Sequence, residues 1–389
     1  MFPNTLHFSL SACRVTSKFT ALFFSICLVL LALASVAEAV AQDLKIGVVV
    51  DQSSFNADIA RDYLAGARTY FDYINGQGGI NGRRLSLIVK DDEGDAAKTV
   101  LATRQLVDED KVDALFGYVG DDGVAAVATE SAFKRARIAL YAPLSGVEVS
   151  KTPDTIFFVR PTYREEARHL ISHFTLLGNK RFVVLASAST FGERLSKQIS
   201  EKLAARNLTL STTLVIPVDL KNLEQLAKRT LVLDPQVVVV AADTISMAEF
   251  LRKFRALDKG TNIVGFSIVN HRTLMELAKP EFAAGTMLTQ VVPHPELPMT
   301  KIQSEHLALF KKYREEPPSH VTLEGFLAAK SFVTSISKGS LTRAGILASL
   351  SGSQRIDTGG IVLSFSAAND RGSSFVDLSL LRKSGRLIQ

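Results

Sequence analysis

The side chains best placed to do chemistry fall in one loop, Gly117-Tyr118-Val119-Gly120-Asp121-Asp122-Gly123. Its glycines stand three apart, which is not the dinucleotide-binding pattern, and carboxylates at Asp121 and Asp122 would repel a pyrophosphate unless they only cap the following helix. A small ligand held by loop amides, the Ser145 hydroxyl and the Asp121 carboxylate fits these residue types better, so no cofactor is expected. The acidic run Asp91-Asp92-Glu93-Gly94-Asp95 offers the oxygen ligands calcium prefers but lacks the alternating register and terminal Glu of a known loop. A solvated loop whose Asp95 caps a helix is the simpler reading.

Other constellations are weaker. His169 and His173 are four apart on a predicted helix and share a face, a spacing open to zinc, but the chain has no H-E-x-x-H and no metal site is predicted. Ser131-Ala132-Phe133-Lys134 matches the S-x-x-K of some acyl enzymes without the S-D-N or K-T-G that accompany it. Phe191-Gly192-Glu193 follows Ser187 to Thr190 without a nucleophile elbow. No catalytic residue is assigned and the chain is not read as an enzyme; an enzyme on the same scaffold would have to draw on Asp121, Ser145 and Asp243 as acid-base groups.

The elements that must position these residues alternate between buried strands and amphipathic helices. Leu44 to Val50 (LKIGVVV) reads as a buried strand, and Ala57 to Ile74 carries apolar residues at helical spacing until Gly76 to Gly82 ends it. The βα rhythm continues with Leu85 to Val89, Thr99 to Val107, Ala114 to Phe116, a helix starting near Asp122 to Val124, and Ile138 to Tyr141. After Ile156 to Arg160 and Pro161 it restarts through Arg181 to Ala186, Leu210 to Ile216, Val237 to Ala241 and Asn262 to Ser267, with helices between. Gly285 to Val292 reads as a connecting strand, followed by helices at 300–313, 322–336 and 341–350. The tail, with alternating Ile361, Leu363 and Phe365 and then Phe375 to Leu381, reads as a β-hairpin on a lobe edge. The predicted fold class is α/β, in two lobes with parallel sheets and a pocket between them.

Composition bounds the function. Arg14 and Lys18, the apolar run from Phe19 to Val36 and the small residues Ala39 and Ala41 predict a secretory leader over 1–41, cleaved before Gln42. The alternative is an uncleaved anchor, because the run approaches spanning length. Both cysteines, Cys13 and Cys27, lie in that leader, which excludes a thiolate nucleophile, a thiolate zinc site and a cysteine-ligated cluster downstream. Among 389 residues, 45 basic and 39 acidic side chains nearly balance, and without a long basic patch nucleic acid is a poor partner.

The order of segments resembles the type I periplasmic binding proteins, particularly the branched-chain amino-acid-binding (Leu/Ile/Val-binding) family that serves ABC importers. The likeness runs over the whole chain after the leader. Its most specific pieces are LKIGVVV, LAGARTYFDYINGQGGINGRRL from Leu64 to Leu85, and VKDDEGDAAKTVLATRQLV after it; FGYVG, LYAPLSG, IFFVRPTYREEARHL and VVLASASTFGERL continue it. The resemblance implies two Rossmann-like lobes joined by three crossover strands, 42–160 with 291–358 and 161–290 with 359–389. The crossings would fall near Phe158 to Arg160, Leu288 to Val291 and Gly359 to Ile361. It further implies an exported, periplasmic solute-binding protein without cofactor that passes a small polar or amino-acid-like ligand to an ABC permease, or presents it to a membrane sensor without transport.

Carried over residue by residue, the family's ligand contacts fall at Ser53 in the Gln52 to Asn56 loop, at Asp121 where a Ser commonly meets the ligand carboxylate, and at Ser145 and Gly146. In the second lobe they fall at Phe191, which lacks the family's phenolic hydroxyl, at Asp243, and at Ser267 where an acidic residue often pairs with the ligand ammonium. The α-amino-acid clamp is thus rearranged, and a carboxylate at Asp121 favours a cationic or hydroxyl-rich ligand.

Overall fold

A computed structural model describes residues 42–149, 152–365 and 371–389. The leader expected over 1–41 lies outside the described residues. Among those described, no helix is long and apolar enough to cross a membrane.

Strands β1 (Leu44–Val50), β2 (Leu85–Asp91), β3 (Ala114–Phe116), β4 (Leu140–Tyr141) and β5 (Ile156–Phe157) form a parallel sheet in the order β2-β1-β3-β4-β5. The period-two alternation of β1 sends Ile46, Val48 and Val50 to one core and Val49 to the other. Both faces are covered by helices, which is why the run is apolar throughout. On one face the Ala57–Gly76 and His320–Ile336 helices cross with their backbones touching. A Cβ on Gly66 would stand 1.9 Å from the Thr322 carbonyl oxygen, and one on Gly325 2.0 Å from that of Tyr63.

The second sheet repeats the plan. β6 (Arg181–Ser187), β7 (Thr209–Ile216), β8 (Val237–Ala241), β9 (Asn262–Gly265) and β10 (Thr286–Gln290) run parallel in the order β7-β6-β8-β9-β10. In each sheet the first strand lies between the second and third, so the order reverses beside it. The crevice outside the strands' carboxyl ends at that reversal is where open α/β sheets bind ligands.

Three expectations are corrected. The crossover helix after β3 is broken into Asp121–Thr129 and Ser131–Ala136, because Glu130 is extended and its carboxylate accepts from the Ala132 amide at 3.0 Å, starting a new helix. The tail is not a hairpin: β11 (Arg355–Asp357) pairs with β12 (Val362–Ser364), whereas β13 (Asp377–Leu381) joins β10 and β14 (Leu387–Ile388) antiparallel. Alternation marked both as half-buried strands but carries no information about partners. Ile361 and Leu363 pack into the first core, so the third passage between the sheets falls past Gly359 to Ile361. It runs beside the first, the Gly372 amide donating to the Phe158 carbonyl and the Ser373 amide to that of Val159, each at 2.8 Å.

Candidate functional site

Every parallel strand except β10 sends its carboxyl-end loop toward one cavity of about 290 Å³ between the two sheets. From the first sheet come the segments after β1 to β5, and from the second those after β6 to β9. Among the described residues no lysine, arginine or histidine lines it, whereas Asp92, Asp121, Asp122 and Asp243 do.

Asp121 is the first residue of its helix, and Gly120 before it takes φ 118°, a backbone that a side chain would strain. One Asp121 carboxylate oxygen accepts from the Ser145 hydroxyl at 2.5 Å, the other from the Tyr163 hydroxyl at 3.1 Å. Burial in the cavity wall pushes its carboxyl up to about 6; the Ser145 bond, the Arg160 charge and the Tyr163 bond oppose that rise, and Asp122 adds to it. The Asp122 side chain makes no hydrogen bond or ion pair among the described residues, and it also lines an adjoining recess of about 240 Å³.

Tyr163 begins the Tyr163–Leu176 helix, whose Thr162 cap accepts from the Glu165 amide at 3.2 Å. Gly146 leaves room for its ring, since a Cβ there would come within 2.7 Å of the ring carbons. Phe191 meets the same ring edge-on at a centroid distance of 5.0 Å, giving the cavity an aromatic corner. Phe191 is placed by the Thr190–Ala204 helix, where the Ser189 hydroxyl accepts from the Gly192 amide at 3.2 Å.

The remaining anticipated residues are spread. Asp243 lines the cavity, but its carboxylate caps the Thr244–Phe254 helix, taking the Ser246 amide at 2.9 Å and the Ser246 hydroxyl at 2.6 Å. Ser53 is exposed and outside the lining; its neighbour Ser54 lines it, with its hydroxyl donated to Asp51 at 2.6 Å. Ser267 lies behind the cavity, where its amide and hydroxyl donate to Glu166 at 3.0 and 2.9 Å. The acidic loop turns inward on its own chain: Asp92 accepts from Thr99 at 2.7 Å, and Asp95 caps the Ala96–Asp108 helix.

Ser267 belongs to a buried ion cluster that sequence reasoning missed. Arg160 donates to Ser267 and stands 3.5 Å from both Glu166 and Glu324, while Thr289 also donates to Glu166. Burial works against the Arg160 charge, and Glu324, Tyr163, Glu166 and Asp121 outweigh it; burial likewise raises the Glu324 carboxyl against the pull of Arg160. A single charge ending the apolar run IFFVR was the available signal for Arg160. Tyr163 had none, because its contacts to Asp121 and Phe191 join segments far apart in sequence.

A family model described as a periplasmic binding protein matches residues 43–378. The chain belongs to that family. As a periplasmic binding protein it is similar to a crystallised substrate-binding periplasmic protein from Ralstonia solanacearum, with 26% identity and a TM-score of 0.82 over 89% of this chain and 100% of that one. The fold is shared with a possible leucine/isoleucine/valine-binding protein from Rhodopirellula baltica, at 20% identity and a TM-score of 0.83 over 91% of this chain and 98% of that one. An amino acid binding protein of Pseudomonas aeruginosa is 36% identical over 76 residues, a match spanning 20% of each chain.

Proposed function

We propose that this periplasmic binding protein is exported by its 1–41 leader and captures a small polar solute between its lobes for an ABC permease. One lobe is built on β1 to β5 with the 301–352 helices, the other on β6 to β10 with β13 and β14, and the chain passes between them near Arg160, Val291 and Ser373. The observation that carries the reading is the meeting of Asp121 from one lobe, held from behind by the buried Ser145, with Tyr163 and Phe191 from the other in a single cavity wall. A solute touching both sides stabilises the closed arrangement over an open one, which is all that capture by closure requires. Asp121, Ser145, Gly146, Phe191 and Asp243 are the anticipated contacts that bear on that wall, with Ser145 acting through Asp121 and Gly146 through Tyr163. Binding rather than catalysis suits a wall whose Asp92 and Asp243 carboxylates are committed to their own backbone and neighbouring hydroxyls.

Small-angle scattering with and without bound solute tests the reading. Ligand should reduce the radius of gyration, and Phe191→Ala should weaken the effect; an unchanged profile with saturating ligand would contradict capture by closure.

A further inference from the structure

The cavity is asymmetric in charge, and this narrows what it can hold. A zwitterionic amino acid brings a carboxylate as well as an ammonium, and both must be met once water is excluded. Asp92, Asp121, Asp122 and Asp243 line the wall and, among the described residues, no cationic side chain does. The adjoining recess has its own cations, Arg164, Arg194 and Lys197, beside Glu148 and Glu201; behind the cavity itself stands Arg160, whose Nε and one terminal nitrogen have no hydrogen-bond partner among the described residues. It is outside the lining, however, behind the Tyr163 ring at 5.7 Å from the centroid, and it already faces Glu166, Glu324 and Asp121. The Arg160 guanidinium thus already stands against three carboxylates, leaving the cavity lining itself without positive charge among the described residues.

Two carboxylates are placed to use such a charge. Asp121 is oriented by Ser145 and Tyr163, and Asp122 next to it has no partner among the described residues. Beside them Tyr163 and Phe191 supply the aromatic surface that cations favour. The amides opening the Asp121–Thr129 helix would suit an anion elsewhere, but here any anion on them would sit against both carboxylates. Resting on the reading of this cleft as a solute site, we propose that the solute is a compact organic cation without a free carboxylate, its charge received by Asp121 and Asp122 against the Tyr163–Phe191 corner. A primary amine or a guanidinium fits both the donors required and the size of the cavity.

The test is calorimetry on the purified protein with pairs differing only in the carboxylate: cadaverine and L-lysine, agmatine and L-arginine, isoamylamine and L-leucine. At least one decarboxylated member should bind about tenfold or more tightly than its parent. Asp121→Asn and Asp122→Asn should each weaken that amine about tenfold, the scale expected for removing one charge-assisted contact. In the wild-type protein amine affinity should fall as pH drops through the range where Asp121 takes up a proton, with Asp122, Tyr163 and Arg160 the other groups facing it. Tighter binding of a parent amino acid, or an amine unaffected by both substitutions and by pH, overturns the cation assignment. If that amino acid is lost in Phe191→Ala, solute capture still stands. If no compound in the panel binds, the cation assignment falls; an unchanged scattering profile with the solute that co-purifies would remove the capture reading as well.

Discussion

At Asp121 the proposed binding role comes with a cost to stability. Its carboxyl is held at about 6 in the folded protein, above the ordinary value of 3.8, so the folded state binds that proton more tightly than the unfolded chain does. Stability from this group is fully present below the unfolded value and is lost as pH rises through about 6. Asp121→Asn should accordingly raise the midpoint of ligand-free thermal unfolding at pH 7.5, by an amount worth about 1–2 kcal/mol after allowing for partial exposure, and do little at pH 4. Equal effects at both pH values would count against a buried charge. Gly146→Ala should cost about 1–3 kcal/mol in urea unfolding, because the new methyl meets the Tyr163 ring at 2.7 Å. Asp121 and Ser145 could be singled out from residue type and loop position. Tyr163 could not, because a tyrosine opening a helix after Pro161-Thr162 reads as one more amphipathic position. Ser267 was likewise illegible in its actual setting, which depends on Arg160 and Glu166 from one distant segment and Thr289 from another.

Elements were legible where a single period dominated. LKIGVVV and VVVVA could only be buried strands, and Ala57–Gly76 and Tyr163–Leu176 carry a clear helical face. Partner choice was not legible: the alternation around Leu363 and around Leu380 is the same, yet one strand returns to β11 and the other crosses to β10. The break at Glu130 was hidden because its neighbours all suit a helix, and only the side-chain cap shows where one ends and the next begins. The contact of the Ala57–Gly76 and His320–Ile336 helices carries a test of its own. With a Cβ site 2.0 Å from a carbonyl oxygen, Gly325→Val must force the helices apart. A loss of about 3 kcal/mol or more in chemical denaturation is expected. Retention of wild-type stability would mean that the crossing is looser than its geometry indicates.

At the scale of the whole molecule, two similar sheets present their carboxyl ends to one cavity, and the buried Arg160 cluster lies behind it where the chain first passes between them. Arg160→Met keeps the volume but leaves Glu166 and Glu324 buried without a counter-charge. It should cost about 3–5 kcal/mol near neutral pH and less under acid, where the Glu324 carboxyl, raised by burial, takes up a proton. The family's plan thus accounts for the architecture, while the charges in the wall set what can be held. Native mass spectrometry of protein released gently from the periplasm tests the central claim most directly. One small molecule should be bound per chain and should be lost from the Asp121→Ala, Phe191→Ala double variant. A solute retained in full by that variant, or a chain that carries none and gains none from any solute class offered, would contradict capture in this cleft.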